Sequence, residues 1–169
     1  MAFTKIEPAD LSMNAFKAIG ADWCLITAGE PSEHNTMTAS WGQMGVMWGK
    51  NVFTCMIRPA RHTYGFVERN DVFTVSFFGG KHRESLSFCG SNSGRDFENK
   101  AKEAGLTPVG LAGATTFEEA EIVFVCRKIY RDDMRDSAII DSDIRKHYAE
   151  SEPFHTFFAG EIIGAYFSA

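Results

Sequence analysis

Asn35-Thr36-Met37-Thr38-Ala39-Ser40-Trp41-Gly42, with Arg58-Pro59-Ala60-Arg61-His62-Thr63-Tyr64 later in the chain, carries the residue types a phosphorylated redox ring needs. The first stretch alternates as a strand does, placing Thr36, Thr38 and Ser40 on one face and Met37, Ala39 and Trp41 on the other. Backbone groups and hydroxyls suit the polar edge of a tricyclic ring, and Met37 and Trp41 offer polarisable or aromatic surface to its flat face. In the second stretch Arg58, Arg61 and Thr63 sit where a strand passes into a helix, so positive charge and unpaired N–H groups meet a phosphate together. Taken singly, a Thr-rich strand is usually only a strand, and Arg-Pro-x-Arg usually a solvated turn. The combination points to a flavin site.

Other chemistries find less support. Cys24, Cys55, Cys89 and Cys126 are far apart and form no CxxC pair, which excludes a local zinc ribbon or thioredoxin-type centre. Cys89, beside the candidate site blocks, reads as a small buried residue rather than a redox thiol. The five histidines have no HExxH spacing, so metal binding is not expected; His34 and His155 read as surface or capping groups. No Gly-x-Gly pair occurs, which excludes the dinucleotide fingerprint, and no P-loop is present. A nicotinamide donor would therefore have to stack over the flavin in an open cleft. Gly160 and Gly164 lie in a strand-like run, where their spacing speaks of close backbone approach and not of a membrane dimer.

The elements that must position these residues are mostly strands. A chain of 169 residues with 44% hydrophobic content suits one compact domain, expected over 1–169, and its 15 phenylalanines favour pleated, half-buried surfaces. A net charge of −5 argues against nucleic acid as partner. No apolar run approaches the ~20 residues of a membrane span, and no leader pattern opens the sequence, so a cytoplasmic protein with reduced thiols is expected. Strands are predicted at Trp23–Thr27, Thr36–Trp41, Asn51–Ile57, Val72–Phe78, Thr107–Val109, Ala120–Tyr130 and Phe157–Phe167. Helices are predicted near Leu11–Ile19, at Tyr64–Arg69 with Thr63 as N-cap, at Arg83–Phe88, and at Phe97–Ala104 after a Ser93–Asp96 capping box. Ile139–His147 fits either a short helix or a structured loop. Strands in succession with helical inserts indicate a mainly β, closed or nearly closed antiparallel barrel.

Four blocks in this order make a recognisable pattern: Asn35–Gly42, Ile57–Tyr64, Phe73–Phe78 and Cys89-Gly90-Ser91-Asn92-Ser93-Gly94-Arg95-Asp96. From about Trp23 to Gly164 the chain resembles the flavin reductase-like family with an FMN-binding split barrel, and within it the flavoredoxin-like branch. The resemblance implies a homodimer of six-stranded antiparallel split barrels with one FMN per subunit near the interface. It places Asn35, Thr36, Met37, Thr38, Ala39, Ser40 and Trp41 along the ring and ribityl chain. It gathers Arg58, Arg61 and Thr63 at the phosphate or ribityl hydroxyls, and sets Ser93, Arg95 and Lys100 near the cofactor. His62 departs from the family, where tyrosine is common, and the segment from Asp96 to Ala104 is one residue longer than usual. The implied activity is electron transfer from NAD(P)H or a reduced redox protein through FMN, with no side chain required as acid or base. A non-catalytic flavin-binding module is the alternative.

Overall fold

A computed structural model describes residues 2–149 and 151–168. The strands are β1 (Phe3–Ile6), β2 (Cys24–Glu30), β3 (Glu33–Ala39), β4 (Gly42–Met47), β5 (Lys50–Ile57), β6 (Val72–Phe77), β7 (Pro108–Leu111), β8 (Ala114–Phe117), β9 (Ile122–Asp133) and β10 (Thr156–Ser168). The helices are α1 (His62–Arg69), α2 (Arg83–Ser91) and the short α3 (Lys100–Glu103). Eight strands form one antiparallel sheet in the order β3-β2-β6-β9-β10-β5-β4, with β1 added beside β10, while β7 and β8 make a separate hairpin. The two ends of that path, β3 and β4, are consecutive in the chain and joined by the Ser40-Trp41 corner. No pairing closes the barrel between them among the described residues. The fold is the expected antiparallel split barrel, and the split falls at the strand predicted to matter most.

The barrel interior is aromatic. Phe53, Phe73, Phe77, Phe124 and Phe158 are buried within it, and the Phe77 and Phe124 rings meet edge to face at 5.4 Å. A second apolar layer, Leu25, Phe78, Leu86, Cys89, Phe117 and Val123, forms where α2 and the β7–β8 hairpin cover the outer side of β2 and β6. At Gly160 a Cβ would lie 2.7 Å from the Phe73 ring and from Cys126 Cβ, beside a register shift in β10. What the missing Cβ at Gly160 admits is side-chain packing, and not the close backbone approach read from the Gly160–Gly164 spacing.

Several elements differ from expectation. Six main-sheet strands were expected, and β1 and β4 raise the sheet to eight. β4 carries Gly42 and Gly45 and alternates between half-buried and exposed residues, so it lacks an apolar signature. The strand predicted from Trp23 starts at Cys24 because Trp23 has φ +68°. The predicted opening helix is a π-helical turn at Phe16–Ala21. Arg61, not Thr63, is the N-cap of α1. The expected helix over Phe97–Ala104 shrinks to α3, capped by the Asn99 side chain, which accepts from the Lys102 amide at 3.1 Å. Ser93 instead makes a local turn, its Oγ accepting from Arg95 N at 3.2 Å. The region around Ile139–His147 holds two 3-10 turns, Asp136–Ala138 and Ser142–His147.

Candidate functional site

The open seam of the barrel is a cleft of about 530 Å³, bordered by residues 37–41 of β3 and its corner, by Met56, Arg58, Ala60 and Arg61, and by Glu152 and His155. The sequence folds this way because β3 pairs with β2 on one side only, and its other edge, which no described strand covers, turns unshared backbone groups toward the cleft. Met37 and Ala39 point their side chains into the core beside Ile26 and Cys24, and Thr38 donates its hydroxyl to the Leu86 carbonyl. These three meet the cleft chiefly as an edge. Ser40 and Trp41 are exposed, and Trp41 stands between His147 and His155, at 5.3 and 5.2 Å between ring centroids.

Asn35 and Thr36 lie elsewhere. Asn35 is buried, accepts a hydrogen bond from the Thr63 hydroxyl at 2.8 Å, and packs so closely on Gly94 that a Cβ there would sit 1.8 Å from Nδ2. Asn35 and Thr63 thereby lock α1 to β3. Thr36 donates to the Ile26 carbonyl at 3.3 Å and meets the Thr27 hydroxyl at 2.8 Å. Both border a smaller recess of about 160 Å³ with His62, Gly94 and Lys100. The seven residues predicted along one ligand are thus divided between two hollows, because the strand runs past both: Asn35 and Thr36 border the recess and residues 37–41 the cleft.

The cations separate just as clearly. Arg58 was expected at a phosphate, but its Nη1 pairs with Glu152 at 2.5 Å and its Nη2 donates to the His147 carbonyl at 2.7 Å. The Tyr148 ring lies 5.3 Å from its guanidinium carbon. Arg58 is committed to the 134–155 connection. Arg61 is half-buried, and its guanidinium has no hydrogen bond or ion pair among the described residues. Arg95 donates to the Ala60 carbonyl at 3.1 Å. Lys100 is buried, with Nζ donating to the carbonyls of Cys89 (3.0 Å) and Asn92 (3.1 Å).

Electrostatics tie these groups into one field. Burial is the main cause lowering the Lys100 pKa to about 8, with Arg61 adding to it and Cys89 opposing. Burial and then Arg58 lower that of Arg61, and His62 is lowered by burial and by Arg95, Arg69 and Lys100. Burial leads each of these shifts and the neighbouring cations add to it, so the potential around the group is positive. Burial, Arg58 and Arg61 push His155 down to about 4, leaving it neutral at pH 7, and its Nδ1 meets the Tyr148 hydroxyl at 2.7 Å. Cys89 is buried with its pKa raised to about 11, chiefly by burial, so it stays a thiol.

Glu152, His155, Tyr148 and Met56 escaped the sequence reading as site residues. Only the place of His155 just before the last strand hinted at it. Among the described residues no helix is long and apolar enough to cross a membrane.

A family model described as "Flavin reductase like domain" matches residues 16–169. Among solved structures, an FMN-binding domain of a flavin reductases-like enzyme from Shewanella baltica superposes with TM-score 0.70 at 18% identity, covering 98% of this chain and 77% of that one. Flavoredoxin of Desulfovibrio vulgaris gives 0.65 at 21% identity, covering 86% and 68%. An NADH:FAD oxidoreductase from Streptomyces globisporus, in complex with NAD and FAD fragments, gives 0.61 at 18%, covering 85% and 72%. No curated protein matches the sequence. At these identities the structures establish the fold.

Proposed function

The chain belongs to the flavin reductase-like domain family, and from that premise we propose that it binds FMN in the seam cleft and passes electrons from NAD(P)H, or from a reduced protein, to an acceptor. The observation that carries this reading is Arg61: a half-buried guanidinium without a partner among the described residues, at the mouth of α1 and beside an unpaired strand edge. A phosphate dianion answers that demand, and the β3 edge answers the polar rim of a flavin.

When bound, FMN supplies the hydride and electron chemistry. The protein's part is to hold and tune. Arg61 would take the phosphate, with Arg95 and Lys100 adding positive field from behind it. The β3 edge from Met37 to Ser40 would meet the ring system through its backbone, and Trp41 and neutral His155 would form a wall. The residues on β3 whose side chains turn away, Asn35 and Thr36, would act by fixing α1 and the sheet.

A second copy of the chain is the proposed structural partner, supported by Val46, Trp48 and Ile163, which β4, its following turn and β10 leave exposed. The functional test is direct. Purified protein should be yellow, and heat-released chromophore should have the mass of FMN. Anaerobic NADH or NADPH should bleach it if a nicotinamide is the donor, and a reduced protein partner alone should do so if the chain is a carrier. Flavin that no donor reduces would leave a binding module. Colourless protein that takes up no added FMN would overturn the proposal.

A further inference from the structure

Strands β9 and β10 stay paired as far as Asp133 opposite Thr156, with the Thr156 hydroxyl on Asp133 at 2.6 Å and Met134 N on the His155 carbonyl at 3.0 Å. A tight hairpin would have sufficed to join them, yet the chain makes the long 134–155 excursion. That excursion comes back over the cleft and engages one residue from three sides: the Glu152 carboxylate, the His147 carbonyl and the Tyr148 ring all address Arg58. Arg61, three positions on in the same cleft, receives none of this attention from the described residues.

We infer that Glu152 sets the selectivity of the cleft between flavins: by occupying Arg58 it leaves one unclaimed guanidinium, and so favours a single phosphate over a diphosphate-linked dinucleotide. The inference rests on the flavin reading above and adds a specificity determinant to it. A mononucleotide needs one anion subsite, which Arg61 provides. A dinucleotide brings a second phosphate, and the next cation along the cleft already carries a carboxylate. That carboxylate removes an attraction and repels an incoming anion, which is how discrimination arises from an element built against the wrong ligand. Because the Arg58–Glu152 pair is partly exposed, its removal should change preference rather than fold.

The test is a fluorescence titration of apo-protein with FMN and with FAD, at one ionic strength, for wild type and Glu152→Gln. Wild type is expected to bind FMN at least tenfold more tightly than FAD, and Glu152→Gln to reduce that ratio about tenfold, mainly by tightening FAD. Adding Arg58→Gln to Glu152→Gln should abolish the gain, because the freed cation is what the second phosphate uses. An unchanged ratio, or equal weakening of both flavins, would show Glu152 to be a fastener for the excursion only, and the inference would fall alone. If wild type binds neither flavin, the functional reading falls and takes this one with it.

Discussion

Strand β3 borders two polar regions of opposite character. On the side of the β7–β8 hairpin lies a buried hydroxyl layer: Thr74 donates to the Thr115 carbonyl at 2.6 Å, Ser76 pairs with Thr116 at 2.9 Å, and Thr115 donates to the Gly29 carbonyl at 2.7 Å. Thr27 and Thr36 complete it, and no buried side-chain polar atom among the described residues lacks a partner. On the other side lies the cleft, where like charges crowd and Arg61 stands unmatched. One region is polar and saturated; the other is polar and in deficit. Residue type marks both alike, and only unmet demand distinguishes a site from a well-made interior.

The contrast breaks most sharply at Arg61. Arg61→Ala should weaken FMN binding by ~1.5–3 kcal/mol, the range for a hydrogen bond to a charged group, or about ten- to more than a hundredfold in Kd. Arg58→Ala should cost less affinity, since its contacts are with Glu152 and His147. Calorimetric titration of the two variants checks the order, and a larger loss at Arg58 would reverse the assignment of deficit. The saturated region should respond in the opposite sense. Thr116→Val strips the Ser76 hydroxyl of its partner inside the layer and should cost about 1–3 kcal/mol of stability in urea, with FMN affinity retained. Ser76→Ala combined with Thr116→Val should be milder than the single change, because no orphaned hydroxyl remains.

How far this was legible beforehand follows from the range of the interactions. β3 and β5 announced themselves through β-branched and apolar runs that end up buried at consecutive positions, a local composition signal. β4 did not, since its glycines and its half-buried or exposed residues form no such buried run. The hydroxyls of β3 were visible as hydroxyls, but their partners lie on β2 and α2, so sequence alone could not say which were spent. Arg58 and Arg61 look equivalent in Arg-Pro-Ala-Arg. What separates them is a carboxylate 94 positions away, brought in by a connection whose path no local rule fixes. The resemblance named residues that fall around the cleft and the recess beside it, and tertiary contacts show which of their polar groups are already partnered.

Lys100, in the recess beside the cleft, offers the finest discrimination because it shares the character of both regions: its amine serves two carbonyls, yet it shares the field of Arg61. With its pKa lowered from the ordinary 10.5 to about 8, the folded chain has released a proton that the unfolded chain still holds between those values. Apo-protein stability should therefore gain a component that rises with pH across that window. Anion binding has the opposite sign, since phosphate favours the protonated amine: FMN affinity should fall several-fold as pH climbs through about 8. Lys100→Gln should flatten both trends. Titrations at pH 7 and pH 9, paired with urea melts of the apo-protein, read the two signs separately. A stability component without an affinity change would place Lys100 with the saturated interior and leave the phosphate to the guanidiniums.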